Sequence, residues 1–206
     1  LVDNMLAKIC VFVLALCVAG AVAQESPYCC TANEWTADAR GHARLHGAVV
    51  NASELFYEVV YYDFNRHQQR FDVFADVTGI DRHVERTIIE KMVKGRWERF
   101  VIFPDGRCER HDPKIAFMEQ ACVKGGYLHK WDYTIGETLP VEAFMHEIRR
   151  EEFVETSVTK HTCVPIHGFF HARHRVERFN SNVLWTNFRP YIEDPSIFNL
   201  PLACSI

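Results

Sequence analysis

The sequence predicts a mostly β protein of two stacked, curved antiparallel sheets, a sandwich or open barrel with one or two short helices. Three observations carry this expectation. Short stretches dense in aromatic and β-branched residues recur along the chain. Turn residues separate them at short intervals, and few long helical periods interrupt the series. Six cysteines spread between position 29 and position 204 read as a disulfide framework.

The elements follow in order. Residues 55–62 (Leu-Phe-Tyr-Glu-Val-Val-Tyr-Tyr) form a strand. A polar turn over 63–69 follows, and Phe71, Val73, Ala75 and Val77 then alternate with Arg70, Asp72, Phe74 and Asp76 as the second arm of a hairpin. Residues 97–103 form another strand, closed by Pro104, Asp105 and Gly106 as a turn. Residues 127–135, 141–145, 153–163, 169–176 and 183–188 continue the strands. Residues 113–122 suit a helix, with Pro113 at an early position. Residues 80–93 and 142–152 fit strand and helix alike. Several strands are apolar on both faces, which a two-layer sandwich with a solvated outer face does not need. Tight core packing, a second covering layer, a dimer interface or a pocket wall each accounts for that pattern.

The N-terminus predicts a secretory signal over residues 1–23. Met5 is the expected start, with residues 1–4 upstream of it. Lys8 is the charged region, residues 9–18 the apolar region, and Ala21, Val22 and Ala23 the cleavage site. That apolar run is shorter than a membrane span, so no transmembrane anchor is expected. Residues 24–206 then form one domain of 183 residues. Cys10 and Cys17 leave with the signal, so eight cysteines become six. Cys29 and Cys30 are adjacent and point to opposite sides of an extended chain, so they take different partners. A zinc site would need paired short spacings that these cysteines lack. Asn51, followed by Ala52 and Ser53, is a glycosylation sequon and predicts an exposed turn.

The net charge of −4 argues against a nucleic-acid partner, which demands a basic face. The serine-hydrolase, zinc-protease and phosphate-loop motifs are absent from the sequence, and the cysteines are committed to disulfides, so no catalysis is expected. His167, His171 and His174 do not suit one metal: on a strand the first two stand ~13 Å apart and the third faces away. Eleven histidines would carry the net charge from −4 to +7 if all were protonated, which suggests a pH-sensitive surface.

The C-terminal run Tyr191, Ile192, Glu193, Asp194, Pro195, Ser196, Ile197 and Phe198, with Pro201 and Cys204, resembles the closing segment of ependymin-related proteins. The opening from Cys29 to Trp35, Tyr62-Asp63 with Gln69-Arg70, the stretch Tyr133 to Gly136, and Cys163 before Pro165 resemble further family segments. The resemblance covers essentially the whole mature chain, with one departure: residues 77–93 lack the cysteine of vertebrate members. It implies a fold similar to bacterial lipoprotein carriers, a pocket for a lipid or other apolar molecule, a homodimer, and calcium association with no required cofactor. It also implies secretion, with the lysosomal lumen as a second location. The alternative function is an extracellular-matrix, adhesion or chemical-communication protein with no carrier role. The implied disulfides are Cys30–Cys163 and Cys108–Cys204, with Cys29–Cys122 as the remaining pair. Exchange of Cys29 and Cys30 is the alternative. Candidate pocket residues are Tyr61, Phe71, Val73, Phe100, Ile102, Phe169 and Trp185, with ordinary core packing as the competing role for each.

Overall fold

The computed structural model describes residues 29–47, 51–78, 81–112, 122–123, 127–174 and 177–204. The expected signal segment and most of the expected helix at 113–122 lie outside these residues. The chain forms two antiparallel sheets of very unequal size. The large one has eleven strands and does not close. Its spatial order is β7 (Cys108–His111), β6 (Arg96–Ile102), β5 (Val84–Val93), β4 (Gln68–Phe74), β3 (Asn51–Asp63) and β2 (Glu34–His46). It continues with β13 (Glu177–Arg189), β12 (Pro165–His174), β11 (Glu152–Thr159), β10 (Leu139–Arg149) and β9 (Leu128–Ile135). The small sheet pairs β1 (Cys29–Cys30) with β8 (Cys122–Val123). The two ambiguous stretches resolve mainly as strands β5 and β10.

Every neighbour in the large sheet follows in sequence except one junction, where β13 returns to lie beside β2. That junction makes β2 central. Its sequence of alanine, glycine, arginine and histidine has little strand propensity, yet Ala37 and Ala39 are fully buried. The small side chains are required by their neighbours. A Cβ at Gly41 would stand 2.3 Å from both the Phe56 ring and the Asn182 carbonyl. Trp35, stacked on Tyr62 at 5.3 Å and edge-on to Trp185 at 5.7 Å, anchors the inner core with Ala37, Ala39 and Val60.

Each face of the large sheet carries a cover, at different strands. The small sheet lies on the inner face, where Cys29 and Val123 pack against Phe144 and Val158. The C-terminal segment lies on the outer face. Its short 3-10 helix Pro195–Phe198 packs on β4 and buries Phe198. Arg70 donates to the Ile197 carbonyl at 2.6 Å and Lys91 to the Phe198 carbonyl at 3.1 Å. Asp194 caps that helix, accepting from the Ser196 N–H at 2.9 Å. Asp194→Ala is expected to destabilise the protein, read as a lower urea midpoint at unchanged m-value.

The disulfides are Cys29–Cys163, Cys30–Cys122 and Cys108–Cys204. Cys108–Cys204 is the pair the resemblance implied. The other two correct it: Cys30–Cys163 and Cys29–Cys122 do not form. The reason is register. Cys30 lies directly across from Cys122 in the small sheet, with Cα atoms 4.0 Å apart. Cys29, one residue earlier, is buried in the cluster that also receives Cys163. Asn51 is exposed, but it opens strand β3 opposite His46 and does not sit in a turn.

Candidate functional site: a pocket between the two sheets

The cross-strand registers of the inner face place the side chains in rows. Thr156, Gly168, Val183, Gly41 and Phe56 stand abreast across β11, β12, β13, β2 and β3. Trp185, Ala39, Glu58 and Val73 form the next row along. Gly168 leaves the sheet surface low at this point, whereas the Phe56 ring covers Gly41. The small sheet stands opposite, tied by Cys29–Cys163 to the turn between β11 and β12. A cavity of about 500 Å³ lies between them. Its walls are mainly apolar: Trp35, Val123, Val154, Val158, Phe170 and Val183, with both sulfur bridges of the small sheet at one side. Burial pushes the Tyr127 phenol above its ordinary range.

The position of Cys163 depends on a compact turn. Its backbone is left-handed, with φ of 56°. The Cys163 N–H donates to the Thr159 carbonyl at 3.0 Å, and the Val164 N–H to Thr159 Oγ1 at 2.9 Å. These bonds hold a conformation that an L-residue seldom adopts and aim the sulfur at Cys29.

Of the seven candidate residues, Trp185 lines the cavity from the inner face. Phe169 borders it, but strand alternation turns its ring to the outer face, where it meets Phe153 at 5.9 Å. Val73 and Phe100 are buried core residues, and Phe71 packs against the Trp35 cluster. Ile102 pairs with Cys108 beside the outer disulfide. Tyr61 lines a separate, more polar cavity of about 470 Å³ on the outer face, beneath the C-terminal segment. Asp38, at its floor, accepts from Tyr57 at 3.0 Å, Asn187 Nδ2 at 2.8 Å and Arg82 at 3.3 Å. These five are not pocket residues, because the apolar cavity sits at β11–β13 and not at β3–β6. Thr156, Gly168, Phe170 and Ser181 were missed. Gly168 had a sequence signal: a glycine inside a strand marks close approach.

His167 and His171 each meet an asparagine on β13, Asn182 at 2.9 Å and Asn180 at 2.6 Å. Among the described residues, His129, Asp132 and Glu142 bring three ligand atoms within 4.8 Å of one another. Lys160 stands 3.5 Å from Asp132 and 3.4 Å from Glu142, so an ammonium already pairs with both carboxylates. One nitrogen and two carboxylates on an exposed surface do not fit calcium, which takes six to eight oxygens.

No family model matches the chain, and no curated protein matches it. Solved structures do. An uncharacterized conserved protein from Thermus thermophilus superposes with a TM-score of 0.51 at 8% identity, covering 83% of this chain and 87% of that one. A LolA superfamily protein from Nitrosomonas europaea gives 0.38 at 12% identity over 82% and 91% of the two chains. A DUF1329 family protein from Desulfovibrio piger gives 0.38 at 8% identity over 82% and 90%. The first of these supports the open, mostly β fold. Among the described residues no helix is long and apolar enough to cross a membrane.

Proposed function

We propose that this chain binds a lipid or similar apolar molecule between its two sheets, as a non-catalytic carrier of the ependymin-related kind. The observation that carries the reading is the cavity of about 500 Å³, which is within the size range of small-molecule sites and has mainly apolar walls. Three disulfides support an oxidising compartment, in keeping with secretion.

Organic extraction of the natively purified protein, with native mass spectrometry before and after, tests the reading. A bound apolar species at unit stoichiometry is expected. Val154→Arg puts a charge into the wall and is expected to abolish that species while leaving the fold intact by circular dichroism. Wild-type protein that carries nothing and takes up no apolar probe overturns the reading.

A further inference from the structure

The floor of the pocket has a polar detail that points to a narrower class of ligand. Gly168 lies on β12 with Thr156 directly across on one side and Val183 on the other. A Cβ at Gly168 would stand 3.0 Å from Val183 Cγ1 and 3.9 Å from Trp185 Nε1. The missing side chain therefore leaves a shallow seat against Val183, with the Trp185 indole nitrogen 3.9 Å from it and Thr156 as the cross-strand neighbour. Thr156, Ser181 and Trp185 all line the cavity, and among the described residues none of their polar side-chain atoms hydrogen-bonds to protein. All three are neutral groups. The ionised side chain among the lining residues is Glu155, and strand alternation sends it to the outer face, opposite to Val154 and Thr156. No lysine, arginine or histidine is among the described lining residues.

We propose that the pocket selects uncharged lipids bearing an oxygen function, such as a long-chain alcohol or ester, and holds that oxygen over Gly168 against the neutral polar groups of Thr156, Ser181 and Trp185. This rests on the pocket reading above. A hydroxyl or ester oxygen gains hydrogen bonds there and brings no charge to desolvate. An ionised carboxylate in the same place finds neutral donors but no counter-charge, so its desolvation is not offset.

Displacement of the neutral dye Nile red from the full chain at pH 8 tests the proposal, with 1-dodecanol, dodecane and dodecanoate as competitors. Thr156→Val keeps the shape of the side chain and removes its hydroxyl. Gly168→Ala fills the seat. Each is expected to weaken dodecanol roughly three- to tenfold while leaving dodecane unchanged. Dodecanoate is expected to displace the dye far more weakly than dodecanol and to be indifferent to both variants. Gly168→Ala crowds Val183, so Thr156→Val carries the test if that variant folds poorly. The proposal is overturned if Thr156→Val affects dodecane and dodecanol alike, if it affects neither, or if dodecanoate competes as well as dodecanol. Failure of every competitor, or of the dye itself, to bind wild-type protein instead removes the pocket reading on which the proposal rests.

Discussion

Replacing Cys29 and Cys163 together by serine is expected to lower stability by about 5 kcal/mol and to open the pocket. The stability loss follows from chain entropy, because the bridge joins residues 134 apart and excludes most of the unfolded chain's freedom. The loss of binding follows from position. Cys29–Cys163 is the covalent tie between the small sheet and the large one, whereas Cys30–Cys122 closes the small sheet on itself. Without that tie, the small sheet is held by the short chain segment from Cys30 to Glu34 and by the packing of Val123 against Phe144 and Val158. The matched control is Cys108→Ser with Cys204→Ser. Its bridge spans 96 residues and pins the outer-face segment, so a similar stability loss should leave ligand retention unchanged. Urea midpoints and probe off-rates measured on both variants give the comparison. Equal retention in the two would mean that the small sheet is not the pocket wall.

Glu58→Gln is expected to stabilise the protein by about 3 kcal/mol at pH 8 and to change little at pH 4. Glu58 stands on the inner face between Ala39 and Val73, with Arg86 the next residue along the row. Burial pushes its carboxyl up from 4.5 to about 7, with the Arg86 guanidinium pulling partly in the other direction. A carboxyl whose folded pKa is raised keeps its proton in the folded state after the unfolded chain has lost it. Between pH 4.5 and 7 the folded state therefore binds more protons, and this group's contribution falls as pH rises, with about 1.4 kcal/mol for each unit of the difference. Urea unfolding of both proteins from pH 4 to pH 8 should show the gap opening through that window and flat above it. A gap independent of pH would place the effect in packing and not in titration.

Strands with aromatic and β-branched residues were legible from sequence because their side chains state the face they bury. The stretches at 55–62 and 97–103 fall in β3 and β6 as expected, with Phe103 just past the end of β6. Strand β2 was not legible. Its alanines and Gly41 are chosen by what lies beside them, the Phe56 ring and the Asn182 carbonyl, and neither is a local neighbour in the chain. The candidate site was legible in kind but hardly in place. Trp185 was found because a tryptophan on an apolar strand is conspicuous. Thr156 and Ser181 were not, because a hydroxyl in a strand looks the same whether it faces water or a cavity. The turn at Cys163 was equally hidden, since its left-handed backbone is stabilised by Thr159 and not by a glycine.

By itself the sequence determined the antiparallel β class, the six cysteines of the disulfide framework and the bond between Cys108 and Cys204. These depend on composition, local alternation and a resemblance that runs along the chain. Only the tertiary structure decided which of Cys29 and Cys30 crosses to Cys163, and which end of the large sheet holds the pocket. Both depend on register, and a shift of one residue exchanges the faces of a strand without altering its composition. The return of β13 to the side of β2 then brings Trp185, Gly168 and Thr156 beneath the small sheet, a juxtaposition set by sheet order and not by any local run of residues.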